Sequence, residues 1–301
     1  MSALSPAVVT AIDDLELAAR VLVEGLRVGG HRSPFHGYGA EFHQHRPYRA
    51  GDDLKYLDWK VFARSNRLYT RQFRETTNVA VMLVLDTSAS MAFPVDANAT
   101  SKFRYGVILA AALAYLASEQ GNAVGLMTET QGEMVYLPAR SGRVHLRALL
   151  ATLDRLAPGG AWNPARVIGR AAELLARRGL LVVLSDFYDE EGGTQRELRH
   201  TVQRGHDVAM LQVIAGGERT LPFREQVEVE ELETGARQLV EPAAIVAGYQ
   251  QAMTSFLTRT RDLAVHEGMD YGLFVTDEPP EKTLRDYLVR RTTRAHPAIH
   301  D

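Results

Sequence analysis

The chain of 301 residues contains no cysteine, which excludes disulfides, thiolate nucleophiles and Cys-based zinc sites. No segment approaches the roughly 18 uninterrupted apolar residues that span a bilayer. The N-terminus also lacks a basic stretch followed by an apolar one, because Asp13, Asp14 and Glu16 fall where the apolar part of a leader would stand. These absences read as a cytoplasmic protein. Charge of either sign is not in excess: 34 Lys and Arg against 37 Asp and Glu give a net charge of -3, which argues against a general polyanion binder. No Gly-rich loop leads into Lys-Ser or Lys-Thr, so a Walker-type phosphate cradle is missing, and there is no internal repeat or low-complexity tract. What is present is ordinary for a soluble globular protein, with 46% hydrophobic and 24% charged residues. Such a length allows about two domains, or one large α/β domain with additions.

From Val79 onward, strand and helix signals alternate. Strand-like runs fall at Val79 to Leu85, Ala123 to Thr128, Met134 to Pro138, Leu180 to Ser185, Asp207 to Ile214 and Tyr271 to Thr276. Helical periodicity fills Lys102 to Gln120, Arg143 to Leu156, Pro164 to Arg178 and Thr194 to Arg204. The alternation implies an α/β fold: a doubly wound, mostly parallel, Rossmann-like sheet with helices on both faces. Before it, residues 5–28 read as an amphipathic helix, and residues 29–74 as a basic, aromatic β extension with strand-like runs at Lys55 to Trp59 and Leu68 to Phe73. A hairpin signal around Glu233-Thr-Gly235 precedes a long helix opening at Pro242, and Thr292 to Asp301 are expected to fray. The division expected is 1–75 for the N-terminal helix and extension, 76–278 for the α/β domain, and 279–301 for a C-terminal helix and tail.

Two strand tips carry chemistry. Val79-Ala-Val-Met-Leu-Val-Leu85 is apolar throughout, as in a strand covered on both faces, and it ends in Asp86-Thr-Ser88-Ala-Ser90. A carboxylate with hydroxyls two and four residues later offers hard oxygen donors suited to Mg²⁺ or Mn²⁺. The second tip is Leu180-Leu-Val-Val-Leu-Ser-Asp186. Parallel strands emerge on one edge of a sheet, so Asp186 is able to approach Asp86 there. Read singly, each motif also fits a capped strand-to-helix turn.

At these residues the sequence resembles a family in two places. Asp86-Thr-Ser88-Ala-Ser90 with Asp186 is similar to the metal-ion-dependent adhesion site of von Willebrand factor type A domains. Gly37-Tyr-Gly-Ala-Glu41-Phe42, Arg46-Pro-Tyr48-Arg-Ala-Gly51-Asp52-Asp53, Asp58-Trp59 and Ala63-Arg64 resemble the signature of domain of unknown function family 58, which joins such a segment to a type A-like domain. The resemblance covers roughly residues 25–276. It implies Ser88 and Ser90 as direct Mg²⁺ ligands, with Asp86 and Asp186 direct or acting through water, and an open position that a partner's carboxylate fills. Ala161 stands where the family's pattern has a threonine ligand, and Asn163 or water is then the candidate substitute. The resemblance further implies binding without turnover, as an adaptor beside a MoxR-like AAA+ ATPase in assembly or remodelling.

From Glu41 to Arg74 eight basic residues face four acids, with Tyr48, Tyr56, Trp59, Phe62 and Tyr69 interleaved. This pattern fits nucleic-acid binding by phosphate contact and stacking. It fits better a packed extension in which Asp52, Asp53 and Asp58 pair with some of the arginines, and in which Arg46, Asp52, Asp53, Asp58, Trp59 and Arg64 meet a protein partner, given the acidic overall balance. His31, His36, His43 and His45 lie in the same region with no carboxylate ligand motif beside them. Two function classes remain open besides nucleic-acid binding: a Mg²⁺-dependent docking module with no catalytic residues, and a metal-dependent hydrolase or phosphatase using Asp86 and Asp186.

Overall fold

The computed structural model describes residues 12–27, 40–49, 57–75, 79–94, 99–159, 162–175, 178–189, 192–221, 227–230, 237–240 and 242–295. Helix α1 (Leu15–Arg27) opens the described chain. Strands β1 (Ala40–Pro47) and β2 (Tyr69–Glu75) pair antiparallel around the short helix α2 (Trp59–Ser65). The body then runs β3 (Ala80–Leu85), α3 (Lys102–Glu119), β4 (Ala123–Thr130), β5 (Glu133–Arg140), α4 (Arg143–Leu153), α5 (Pro164–Leu174), β6 (Leu180–Ser185), α6 (Gly193–Gln203), β7 (Asp207–Ile214) and α7 (Gly216–Thr220). A two-stranded hairpin, β8 (Val227–Glu230) and β9 (Arg237–Val240), leads into α8 (Pro242–His266), β10 (Asp270–Val275) and α9 (Pro280–Ala295).

Six strands form the central sheet in the order β10-β7-β6-β3-β4-β5, parallel except for the edge strand β5. Numbered by their own succession, the strands stand 3-2-1-4-5-6, the order of a doubly wound Rossmann-like sheet. The expected fold class is therefore found. The chain reverses its winding between β3 and β6, and the crevice at the carboxyl ends of those two strands is the place where such sheets bind ligands.

Burial follows the two-residue period of a strand. Val81, Leu83 and Leu85 of β3 face one core with α1, α3 and α4, while Met82 and Val84 face a second with α5 and α6. Helix α3 is apolar almost all round because it is sandwiched: Ala110, Ala111, Ala112, Ala114 and Ala117 are buried, and α1 packs on it. At Gly125 of β4 an added Cβ would stand 2.7 Å from the Leu137 carbonyl oxygen, at the register shift where β5 bends across.

Two expectations change. Trp59, read as the end of a strand, begins α2, because Asp58 caps that helix by accepting from the N–H groups of Lys60 and Val61. Helix α9 continues to Ala295, into the segment expected to fray. Gly37 to Gly39, Gly51 to Asp53 and the final residues from His296 lie outside the described residues. Among the described residues no helix is long and apolar enough to cross a membrane.

Candidate functional site

The tip of β3 is built by its own polar groups. The Asp86 N–H donates to the Leu184 carbonyl at 2.9 Å, carrying the β3–β6 ladder one residue beyond the strand. Asp86 Oδ1 accepts the Ser88 N–H at 2.8 Å, a turn closed by its own side chain, and Oδ2 accepts the Ser185 hydroxyl at 2.5 Å. Thr87 turns the other way, its hydroxyl donating to the Glu129 carbonyl and its carbonyl accepting the Gly159 N–H at 2.8 Å. The chain then enters a single 3₁₀ turn, Ala89–Ala92, which swings Ser90 back over Ser88.

The hydroxyls of Ser88 and Ser90 lie 3.0 Å apart, and Ser90 Oγ donates to Asp186 Oδ2 at 2.8 Å. Asp186 is fixed from behind, since its Oδ1 accepts the Tyr188 N–H at 3.1 Å and its carbonyl accepts from Gln212 at 2.8 Å. Asp86, Ser88, Ser90 and Asp186 are thus brought to one point at the switch of the sheet. All but the half-buried Ser90 are withdrawn from solvent.

Burying two carboxylates side by side has an electrostatic cost. Desolvation, with the neighbouring Asp186 carboxylate adding to it, pushes Asp86 up to about 7. Among the described residues no cation pairs with Asp86. Asp186, by contrast, meets the fully buried Lys102, whose Nζ stands 2.8 Å from Asp186 Oδ2 and 2.6 Å from Glu218 Oε1. Burial opposes the charge on Lys102, but these two carboxylates overcome it and hold the ammonium above its ordinary range.

The residues fit a hard divalent cation. Mg²⁺ takes oxygens at about 2.1 Å in octahedral array, which places adjacent ligands about 3.0 Å from one another. The Ser88–Ser90 and Ser90–Asp186 oxygen separations are 3.0 and 2.8 Å. Three carboxyl groups, Asp86, Asp186 and Glu218, stand against the single ammonium of Lys102, and a dication would favour the ionised form of Asp86. Among the described residues no three of His, Cys, Asp and Glu gather to hold a metal. The donor set here is two carboxylates and two hydroxyls.

Asn163 is engaged elsewhere: its Oδ1 caps α5 by accepting from the Arg166 N–H at 2.9 Å, and its own N–H donates to Glu129 Oε2 at 3.3 Å. Ala161 and its neighbour Gly160 lie outside the described residues. In the extension, Asp58 Oδ2 lies 3.0 Å from His45 Nε2 while its Oδ1 caps α2. Trp59 is exposed and stands edge-on to Phe62, and Arg64 Nε donates to the Lys60 carbonyl. Arg46 is half-buried at the end of β1. Asp52 and Asp53 lie outside the described residues, as do His31, His36 and the side chain of His43.

Three residues that brace the site from behind are not among those the sequence singles out. Ser185 preceded Asp186 openly, and its hydroxyl was the available signal. Lys102 opens a run of helical periodicity that says nothing of its own burial, and Glu218 sits in a one-turn helix that periodicity does not reveal.

Two uncharacterized mycobacterial proteins, from Mycobacterium tuberculosis and Mycobacterium bovis, are each 31% identical to this chain over 233 residues, 76% of this chain and 72% of theirs. Among solved structures, an aerotolerance-related membrane protein from Bacteroides fragilis and the conserved hypothetical protein BatB from Bacteroides thetaiotaomicron each share 16% identity. Each match covers 72% of this chain and 100% of theirs, with TM-scores of 0.48 and 0.45. Residues 44–256 match the family described as "Protein of unknown function DUF58", and to that family this chain belongs.

Proposed function

We propose that the protein is a non-enzymatic interaction module that docks a protein partner through Mg²⁺ or Mn²⁺ held by Ser88, Ser90, Asp86 and Asp186. The observation that carries this reading is the convergence of two serine hydroxyls, 3.0 Å apart, with two buried carboxylates at the switch of the sheet. Bound there, such an ion supplies Lewis acidity toward an oxygen ligand. Two of the four donors are neutral, so part of the ion's charge is left for an anionic ligand, and an acidic side chain of a partner answers that need.

The same groups are poorly arranged for hydrolysis. A water activated for hydrolysis at such a site ordinarily needs more carboxylate or histidine ligands than two aspartates, and among the described residues no three of His, Cys, Asp and Glu gather to hold a metal. The partner proposed is a MoxR-like AAA+ ATPase, as the family resemblance implies.

Affinity capture of the ATPase on the full-length chain tests this. Retention is expected in Mg²⁺ and loss in EDTA, with the Ser88→Ala, Ser90→Ala double variant behaving in Mg²⁺ as wild type does in EDTA. Equal capture in all three conditions would contradict the reading.

A further inference from the structure

Lys102 is the first residue of α3, a position where lysine is ordinarily solvated, yet it is wholly buried. Its ammonium has three donors. Two are met by Asp186 Oδ2 at 2.8 Å and Glu218 Oε1 at 2.6 Å, and the ring of Tyr188 lies with its centre 4.9 Å away. Glu218 in turn accepts the Ala215 N–H through Oε2 at 2.9 Å, capping the Ala215–Leu221 segment that follows β7. An unbroken chain of polar contacts therefore runs from Ser88 through Ser90, Asp186, Lys102 and Glu218 to Ala215.

We propose that Lys102 is a positioning residue that reports occupancy of the Ser88–Ser90 site to the Ala215–Leu221 segment through Glu218. The inference rests on the cation reading given above. Asp186 Oδ2 is the shared element, because it accepts from Ser90 Oγ and from Lys102 Nζ at the same time. A serine hydroxyl ligated to a dication is a stronger donor, so Ser90 tightens on that oxygen. Lys102 is repelled by the added positive charge and shifts toward Glu218. The segment Glu218 caps also bears on α8, where Gln250 Nε2 donates to the Thr220 carbonyl at 2.8 Å. Occupancy of the site is thereby felt on the neighbouring helix, and by reciprocity a partner that steadies this segment strengthens cation binding.

The test combines calorimetric Mg²⁺ titration with amide hydrogen exchange over residues 215–221, on the full chain as wild type, Lys102→Met and Glu218→Gln. In wild type, Mg²⁺ is expected to bind and to slow exchange in that segment by about threefold or more. Both variants are expected to bind Mg²⁺ and to lose that response. A purely structural role would shift exchange equally with and without Mg²⁺ and leave the Mg²⁺-induced change intact, which overturns the inference. Wild-type binding without any change at residues 215–221 also overturns it while sparing the docking reading. Absence of wild-type binding sinks both. Glu218→Gln keeps an acceptor for Ala215 and removes only the charge, so the test stands if Lys102→Met does not fold.

Discussion

Ser185 Oγ donates to Asp86 Oδ2 at 2.5 Å, tying the tips of β6 and β3 together at the point where the sheet reverses its winding. The same oxygen accepts the Phe187 N–H at 2.9 Å, so the hydroxyl is held in one orientation. Ser185→Ala strips a donor from a buried carboxylate, at an expected cost of about 1.5–3 kcal/mol. Urea unfolding in EDTA measures it. A change below about 0.5 kcal/mol would mean that the bond adds little.

His206 makes stability depend on pH. Its Nδ1 accepts the Gly179 N–H at 3.2 Å, which requires that nitrogen to be unprotonated. Burial, with the nearby Arg204 charge adding to it, lowers its pKa below the ordinary value. For a histidine lowered on folding, the unfolded chain takes up the proton first. Stability is therefore full above about pH 6.5 and declines as pH falls from there toward the folded value. His206→Asn retains an acceptor near the Nδ1 position and removes the titration. Thermal unfolding between pH 7.5 and 5 should give a shallower pH dependence for the variant, and coincident curves would refute the assignment.

Glu281 is buried in the first turn of α9, and among the described residues neither of its carboxylate oxygens has a hydrogen-bond partner. An unpaired buried polar group costs about 1–3 kcal/mol. An acid in the first turn of a helix returns only about 0.3–1 kcal/mol. Glu281→Met should therefore raise stability by about 1 kcal/mol, read as a higher denaturation midpoint. A lower midpoint would show that the charge is needed.

Trp59 is 61% exposed at the start of α2, beside the Asp58 cap. Trp59→Ala is expected to leave stability within about 0.5 kcal/mol. If the extension forms part of the partner surface, capture of the ATPase should weaken by about thirtyfold, the effect of losing a central aromatic anchor. Undiminished capture would place the partner elsewhere on the molecule.

The sheet was legible because β3 and β6 are apolar runs, the pattern of strands covered on both faces, and strand and helix signals alternate along the chain, which the winding rules turn into a parallel sheet. Asp86 and Asp186 were legible for the same reason: a parallel sheet sends its strand tips to one edge. Trp59 misled because Leu57 and Trp59 alternate with polar residues as in a strand, while the Asp58 cap that starts α2 is a single side chain. Lys102 was hidden more deeply. Its burial depends on Glu218, 116 residues away, and on a helix of one turn, and no local pattern encodes that meeting.

Binding of Mn²⁺ to the full-length chain, followed by its paramagnetic resonance signal, tests the cation site most directly, with Mg²⁺ as competitor. One ion per chain is expected at millimolar or lower concentration, displaced by Mg²⁺, with affinity falling about tenfold or more in the Ser88→Ala, Ser90→Ala variant. No binding at about 10 mM, or equal affinity in the variant, would contradict a cation held by these hydroxyls.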